Sequence, residues 1–129
     1  MRGDDNLLLR SIQMNQSVLE NLTLDAVSAM KVEKYMPGDD SLLRLSDLFS
    51  VLGDRTRLKI LSALSITPMC VGDISLLLGI NQTTVSHQLK TLRSGGFVKY
   101  KRDGKIVYYS VSDRKVDDIF SSATDFLLE

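Results

Sequence analysis

The run D-I-S-L-L-L-G-I-N-Q-T-T-V-S-H-Q-L-K-T-L-R-S-G-G-F-V-K-Y-K-R-D-G-K-I-V-Y-Y-S-V, residues 73–111, decides the fold. Two short amphipathic segments meet at Gly79, Ile80 and Asn81. Val85, Leu89 and Leu92 then recur near the helical period. Gly95 and Gly96 stop that segment. Two alternating runs follow, 97–101 and 105–111, joined through Arg102, Asp103 and Gly104. Asp-Gly between alternating runs signals a hairpin, because both residues tolerate positive φ. Helix, tight turn, helix and hairpin make a winged helix-turn-helix. The fold expected is mostly α with a small β-hairpin wing (α+β). Such an architecture sets one helix in a DNA major groove and a basic loop beside it.

The second helix of that unit is the expected recognition helix, 82–94, with Asn81 able to cap it. With Val85, Leu89 and Leu92 inward, its outer face carries Gln82, Thr83, Thr84, Ser86, His87, Lys90 and Arg93. Residues at its N-terminal end are placed to reach base edges. Gln bonds adenine at two points, Ser and Thr bond several bases, and a Thr methyl touches a thymine methyl. Lys90 and Arg93 are expected on phosphate. Lys101, Arg102 and Lys105 surround the wing tip and are expected to meet phosphate there. His87 is the single histidine, and one imidazole without a nearby cysteine supplies too few strong metal ligands.

Net charge is zero, which argues against a nucleic-acid partner until its distribution is examined. Over 82–112 the bases Lys90, Arg93, Lys99, Lys101, Arg102 and Lys105 face Asp103 alone. The compensating acid lies elsewhere, at Asp4, Asp5, Asp39, Asp40, Asp117, Asp118, Asp125 and Glu129 among others. Positive charge therefore coincides with the expected DNA-facing unit.

Upstream, 6–36 reads as one helix or two, with Leu8, Ile12, Val18, Leu19, Leu22, Val27 and Met30 at helical spacing. A break near Asn21, Leu22 and Thr23 is expected, with Thr23 or Asn21 as cap. Pro37-Gly38 ends this arm and Asp39-Asp40-Ser41 starts the next helix, about 41–52. Residues 1–38 are expected to form an N-terminal helical arm for dimer contact, the alternatives being a helix folded back on its own core or a partly frayed tail, and 39–129 the winged domain. Asp54 caps a helix over 55–65, with Leu58, Leu61 and Leu64 inward and Ile60 at the side of that stripe. Ser112 or Asp113 caps a last helix, striped by Val116, Ile119, Phe120, Ala123, Phe126 and Leu127. That stripe either seals a dimer or covers its own core.

A chain of 129 residues suits one domain, and 25% charged content is ordinary for a soluble protein. No apolar run nears the roughly 20 residues a bilayer span needs. Met1-Arg2-Gly3-Asp4-Asp5 does not open a signal-peptide pattern, and one cysteine suits a reducing, cytoplasmic setting. Nothing resembles a phosphate-binding glycine loop or a nucleophile with its base, so an enzyme is not expected.

Several motifs in the right order resemble the ArsR/SmtB family of bacterial winged-helix repressors. They are Leu52-Gly53-Asp54-Arg55-Thr56-Arg57-Leu58-Lys59-Ile60-Leu61, Met69-Cys70-Val71-Gly72-Asp73-Ile74, Thr84-Val85-Ser86-His87-Gln88-Leu89-Lys90-Thr91-Leu92 and Gly104-Lys105-Ile106-Val107-Tyr108-Tyr109. The resemblance spans about 42–129. It implies a homodimer that represses by binding an inverted-repeat operator on double-stranded DNA, released by an effector that is often a metal ion.

The departures bear on that effector. One family metal site uses a Cys-x-Cys pair, but here Gly72 follows Cys70 at the second position, and the arm offers no Cys or His. The other lies on the last helix; Asp113 and Glu129 match its end positions, while Lys115 and Phe126 stand where histidines would. Two carboxylates without imidazole make a poor zinc site, so Asp113 and Glu129 are weak metal candidates. A hard-ion site built from Asp113, Asp117, Asp125 or Glu129 stays open. A persulfide sensor needs two cysteines. Cys70 is either a small buried hydrophobe or a reactive thiol. The expectation is a cytoplasmic homodimeric repressor with no cofactor, no membrane contact and an unknown effector. The alternatives are a metal sensor with an atypical site and an interaction module without operator specificity.

Overall fold

A computed structural model describes residues 16–128. In chain order the elements are α1 (Gln16–Asn21), α2 (Ala26–Tyr35), α3 (Asp39–Leu52), α4 (Arg55–Ile66), α5 (Val71–Leu78), α6 (Gln82–Ser94), β1 (Val98–Asp103), β2 (Ile106–Val111) and α7 (Arg114–Leu128). The chain divides into two compact units, Met1–Leu43 and Arg44–Glu129. The expected helical positions at Leu8 and Ile12 lie outside the described residues.

In the first unit the break falls where expected, but neither Thr23 nor Asn21 caps α2. Asp25 does: its backbone is extended and its Oδ1 accepts the Ser28 N–H at 2.8 Å. Asn21 instead turns its amide back to donate to the Ser17 carbonyl of α1 at 2.8 Å. Hydrogen bonding from the Ser28 hydroxyl, and then from its backbone N–H, holds the Asp25 carboxyl below the usual carboxylate range. The Met36 N–H closes α2 on the Val32 carbonyl just before Pro37, which disfavours helical backbone in the residue ahead of it. Ala29 is buried, whereas Val27, Val32 and Tyr35 are exposed.

The second unit is built round one core. Ile60, Leu61 and Leu64 of α4 meet Ile74 of α5, Val85, Leu89 and Leu92 of α6, and Phe97, Val98, Met69 and Val116. Asp54 caps α4 as expected, its Oδ2 accepting the Arg57 N–H at 3.0 Å. The apolar stripe of α4 is rotated from the expected one: Ile60 is fully buried and Leu58 only half-buried. α4 packs on α5, α6 and β2 at once, so its buried face is wide enough to take the adjacent Ile60 and Leu61 together.

The turn of the helix-turn-helix is set by Gly79, at φ +66°, a left-handed conformation that favours glycine. Asn81 then caps α6, its Oδ1 accepting the Thr83 N–H at 2.7 Å. The wing turn sits one residue later than the Asp-Gly signal implies. Asp103 pairs with Ile106, so Gly104 and Lys105 make the two-residue turn. Gly104 has φ +63° and no non-glycine has positive φ, which is the pattern of a Gly-X hairpin turn among the described residues. Met69 adds a short third rung, exchanging both backbone bonds with Tyr109 at 3.0 and 2.8 Å.

α7 opens at Asp113, whose Oδ1 accepts the Lys115 N–H at 2.9 Å. Its stripe divides. Val116 is buried and Phe120 packs on the core, while Phe126, Leu127 and Leu128 are 78–81% exposed. Among the described residues no helix is long and apolar enough to cross a membrane.

Candidate nucleic-acid interface

The sequence of α6 sorts itself into two faces. Val85, Leu89 and Leu92 are at most 1% exposed. Gln82, Thr83, Thr84, Ser86, His87, Lys90 and Arg93 are all exposed. Burial of the apolar face, worth about 1.5–3 kcal/mol for each fully buried side chain, holds the helix against the core and leaves the polar face outward. The Asn81 cap satisfies one of the free N–H groups of the first turn, and the remainder present a partial positive charge to an anion.

The wing distributes its bases on both of its surfaces. Residues opposite each other in an antiparallel pair share a face. Lys99, Lys101 and Asp103 therefore stand with Ser110, Tyr108 and Ile106 on one face. Tyr100 and Arg102 stand with Tyr109 and Val107 on the other. Lys101 and Arg102, expected together at the tip, project to opposite sides, and Lys105 occupies the turn between them. None of Lys90, Lys99, Lys101, Arg102 and Lys105 has an ion-pair partner among the described residues, so their charge is available to phosphate.

Arg93 has a contact that its sequence position does not announce. Its guanidinium lies 4.2 Å from the centre of the Tyr100 ring, with Nη2 3.4 Å from the Tyr100 hydroxyl. Tyr100 in turn leans on Tyr109, ring centres 6.0 Å apart. The end of α6 is thus tied to β1 by a cation–π contact. A groove of about 540 Å³ lies between helix and wing, lined by Ser86, Leu89, Lys90, Arg93, Ser94 and Tyr109.

Two further residues support this surface and escaped the sequence reading as functional groups. Arg57 in the first turn of α4 reaches Gln88 on α6, and Lys59 Nζ donates to the Leu78 carbonyl at the end of α5 at 3.0 Å. Both lie inside a motif that the family resemblance quotes, but nothing local in the sequence pairs them with positions so far along the chain.

The remaining candidates lie elsewhere. Cys70 is half-buried at the N-cap of α5 and its thiol makes no capping bond. Asp113 is engaged as the cap of α7, and Glu129 falls outside the described residues. Asp117 turns one carboxylate oxygen inward without a hydrogen-bond partner among the described residues. No group of three or more His, Cys, Asp or Glu side chains is placed to hold a metal among the described residues.

A capped helix with a polar outer face, held beside a basic two-stranded wing, defines a winged helix-turn-helix DNA-binding protein. Residues 54–100 match the model of the bacterial regulatory protein, arsR family. Over 90 residues the chain is 39% identical to the transcriptional repressor SmtB homologue of Synechocystis sp., covering 70% of this chain and 68% of that one. It is 35% identical over 83 residues to the cadmium resistance transcriptional regulatory protein CadC of Listeria innocua, covering 64% and 70%. Among solved structures, NolR from Sinorhizobium fredii shares the fold at a TM-score of 0.65 with 26% identity, over 70% of this chain and 95% of that one. A homodimeric winged helix-turn-helix DNA-binding domain from Mycobacterium bovis, a possible ArsR-family regulator, gives a TM-score of 0.64 with 30% identity, over 71% and 90%. The chain belongs to the ArsR family of bacterial transcriptional regulators.

Proposed function

We propose that the protein acts as a homodimeric repressor that binds an inverted-repeat operator. The observation that carries this is the α6 face: seven adjacent polar side chains, Gln82 to Arg93, are exposed together beside wing bases without ion-pair partners. Gln82, Thr83, Thr84, Ser86 and His87 read base edges. Lys90, Arg93, Lys101, Arg102 and Lys105 hold phosphate. Because Lys101 and Arg102 leave the wing on opposite faces, the wing contacts backbone on both of its sides.

The dimer is favoured by apolar surface that the second unit leaves open: Leu45 and Phe49 on α3, and Phe126, Leu127 and Leu128 on α7. Two-fold symmetry sets paired recognition helices about 34–36 Å apart, one turn of duplex. Release comes from a signal other than zinc at the ends of α7. Lys115 and Phe126 replace imidazole there, and Gly72 removes the second thiol beside Cys70.

Anisotropy titration of a duplex from the protein's own promoter tests this, with reduced protein in EDTA and again in zinc. Tight binding that zinc changes by less than about tenfold, or 1.4 kcal/mol of coupling, is the expected result. A larger zinc effect contradicts the metal-independent release. In the same assay Ser86→Ala lowers operator preference over random DNA, and equal loss on both DNAs contradicts base reading by Ser86.

A further inference from the structure

Burial of Val85, Leu89 and Leu92 sets which face of α6 turns inward, but apolar contacts are non-directional, so the fine setting of its roll falls to directional contacts. One directional contact crosses that interface on the α4 side. The Arg57 guanidinium donates from Nη1 to Gln88 Oε1 at 3.0 Å, from Nε to the Val51 carbonyl at 2.6 Å and from Nη2 to the Ser50 carbonyl at 3.3 Å. Ser50 and Val51 are in the last turn of α3, where carbonyls lack i+4 helical partners; the Ser50 carbonyl also accepts the Gly53 N–H at 3.2 Å. Gln88 lies midway along α6, half-buried, one residue after the exposed His87 and one before the buried Leu89. A planar guanidinium serves acceptors in fixed directions; an ammonium does not.

We propose that Arg57 is a positioning residue for DNA recognition, fixing the roll of α6 against the end of α3 through Gln88. This rests on the operator-binding reading above. A site that reads base edges needs its side chains within about 0.5 Å and 10–20° of the productive geometry. A small roll of α6 moves Thr84, Ser86 and His87 off the base edges yet keeps Lys90 within reach of phosphate. Arg57 touches no DNA itself; it acts through Gln88.

The test is a double-mutant cycle on the full chain with Arg57→Lys, Gln88→Met and the pair, measured on the promoter duplex and a random duplex at one salt concentration. Each single change is expected to lower the operator-to-random ratio about tenfold while random-DNA affinity stays within about twofold, and the pair to lose no more than the worse single change. Additive losses overturn the proposal, because they mean that Gln88 reads DNA on its own. If Arg57→Lys proves unfolded by thermal melting, Gln88→Glu serves beside Gln88→Met. The carboxylate still accepts from Arg57, so the ratio is retained although its charge weakens binding to both DNAs. Equal loss of the ratio in Gln88→Glu and Gln88→Met overturns the proposal. A wild-type protein without operator preference overturns the DNA-binding reading and this inference with it. Folded Arg57→Lys and Gln88→Met variants that keep the wild-type ratio overturn this inference alone.

Discussion

α6 and α7 are amphipathic helices of similar length, 13 and 15 residues, yet they spend their apolar stripes differently. In α6 the stripe is wholly consumed by the domain's own core, and what is left over is polar. In α7 only the first half is used: Val116 is buried, and the helix ends in Phe126, Leu127 and Leu128 open on its surface. Periodicity alone does not separate these cases. What separates them is the number of neighbours each helix meets. α6 contacts α4, α5 and β1, whereas α7 meets chiefly β2. A helix with spare polar surface is suited to a polar ligand, and one with spare apolar surface to another protein.

Truncation is the strongest way to break that contrast. Leu89→Ala on α6 is expected to destabilise by about 2–5 kcal/mol, and Phe126→Ala on α7 by well under about 1 kcal/mol at concentrations where the chain is monomeric, read by urea unfolding. Comparable losses at the two sites would mean that Phe126 is packed within its own chain. Phe126→Asp is expected to shift a concentration-dependent monomer–dimer equilibrium at least about tenfold toward monomer by sedimentation, since charge at a buried interface is poorly tolerated. An unchanged equilibrium would remove α7 from the dimer.

On the α6 side the expected effects are smaller. Lys101→Ala and Lys105→Ala should each lower the slope of log affinity against log salt by about 0.9, on operator and random DNA alike. A change on operator alone would make the wing a reader of sequence. Smallest is the pH response of α2. The Asp25 carboxyl is held below its ordinary value by Ser28, so its capping contribution is complete above the unfolded pKa of about 3.9. It is lost as pH falls through the lower folded value. Asp25→Ala should abolish that part of the acid-side loss of helical circular dichroism; an identical acid profile in the variant contradicts the cap.

Much of this was legible because it is local. Asn81, Asp54 and Gly79 act within three residues of themselves, and the 3.6-residue stripe of α6 needs only its own sequence. The features that the sequence concealed depend on tertiary neighbours or on competition between similar local signals. Asp25 caps α2 in place of Thr23 because it is the residue with extended backbone three positions ahead of a free N–H. Gly104-Lys105 makes the turn in place of Asp103-Gly104 because the register pairs Asp103 with Ile106. Ile60 is buried because α4 has neighbours on more than one side. Arg57 and Gln88 are 31 positions apart, so no periodicity joins them. Arg93 reads as a phosphate contact on its helix, and only the fold sets it over Tyr100.

The central claim is that α6 and the wing together read an operator. The most direct test is wild-type affinity for the promoter duplex and for a random duplex of equal length, each across a salt series. The account predicts a steep salt dependence on both and an operator preference of at least about 10³ at physiological salt. Equal, weak affinity for the two duplexes would contradict it.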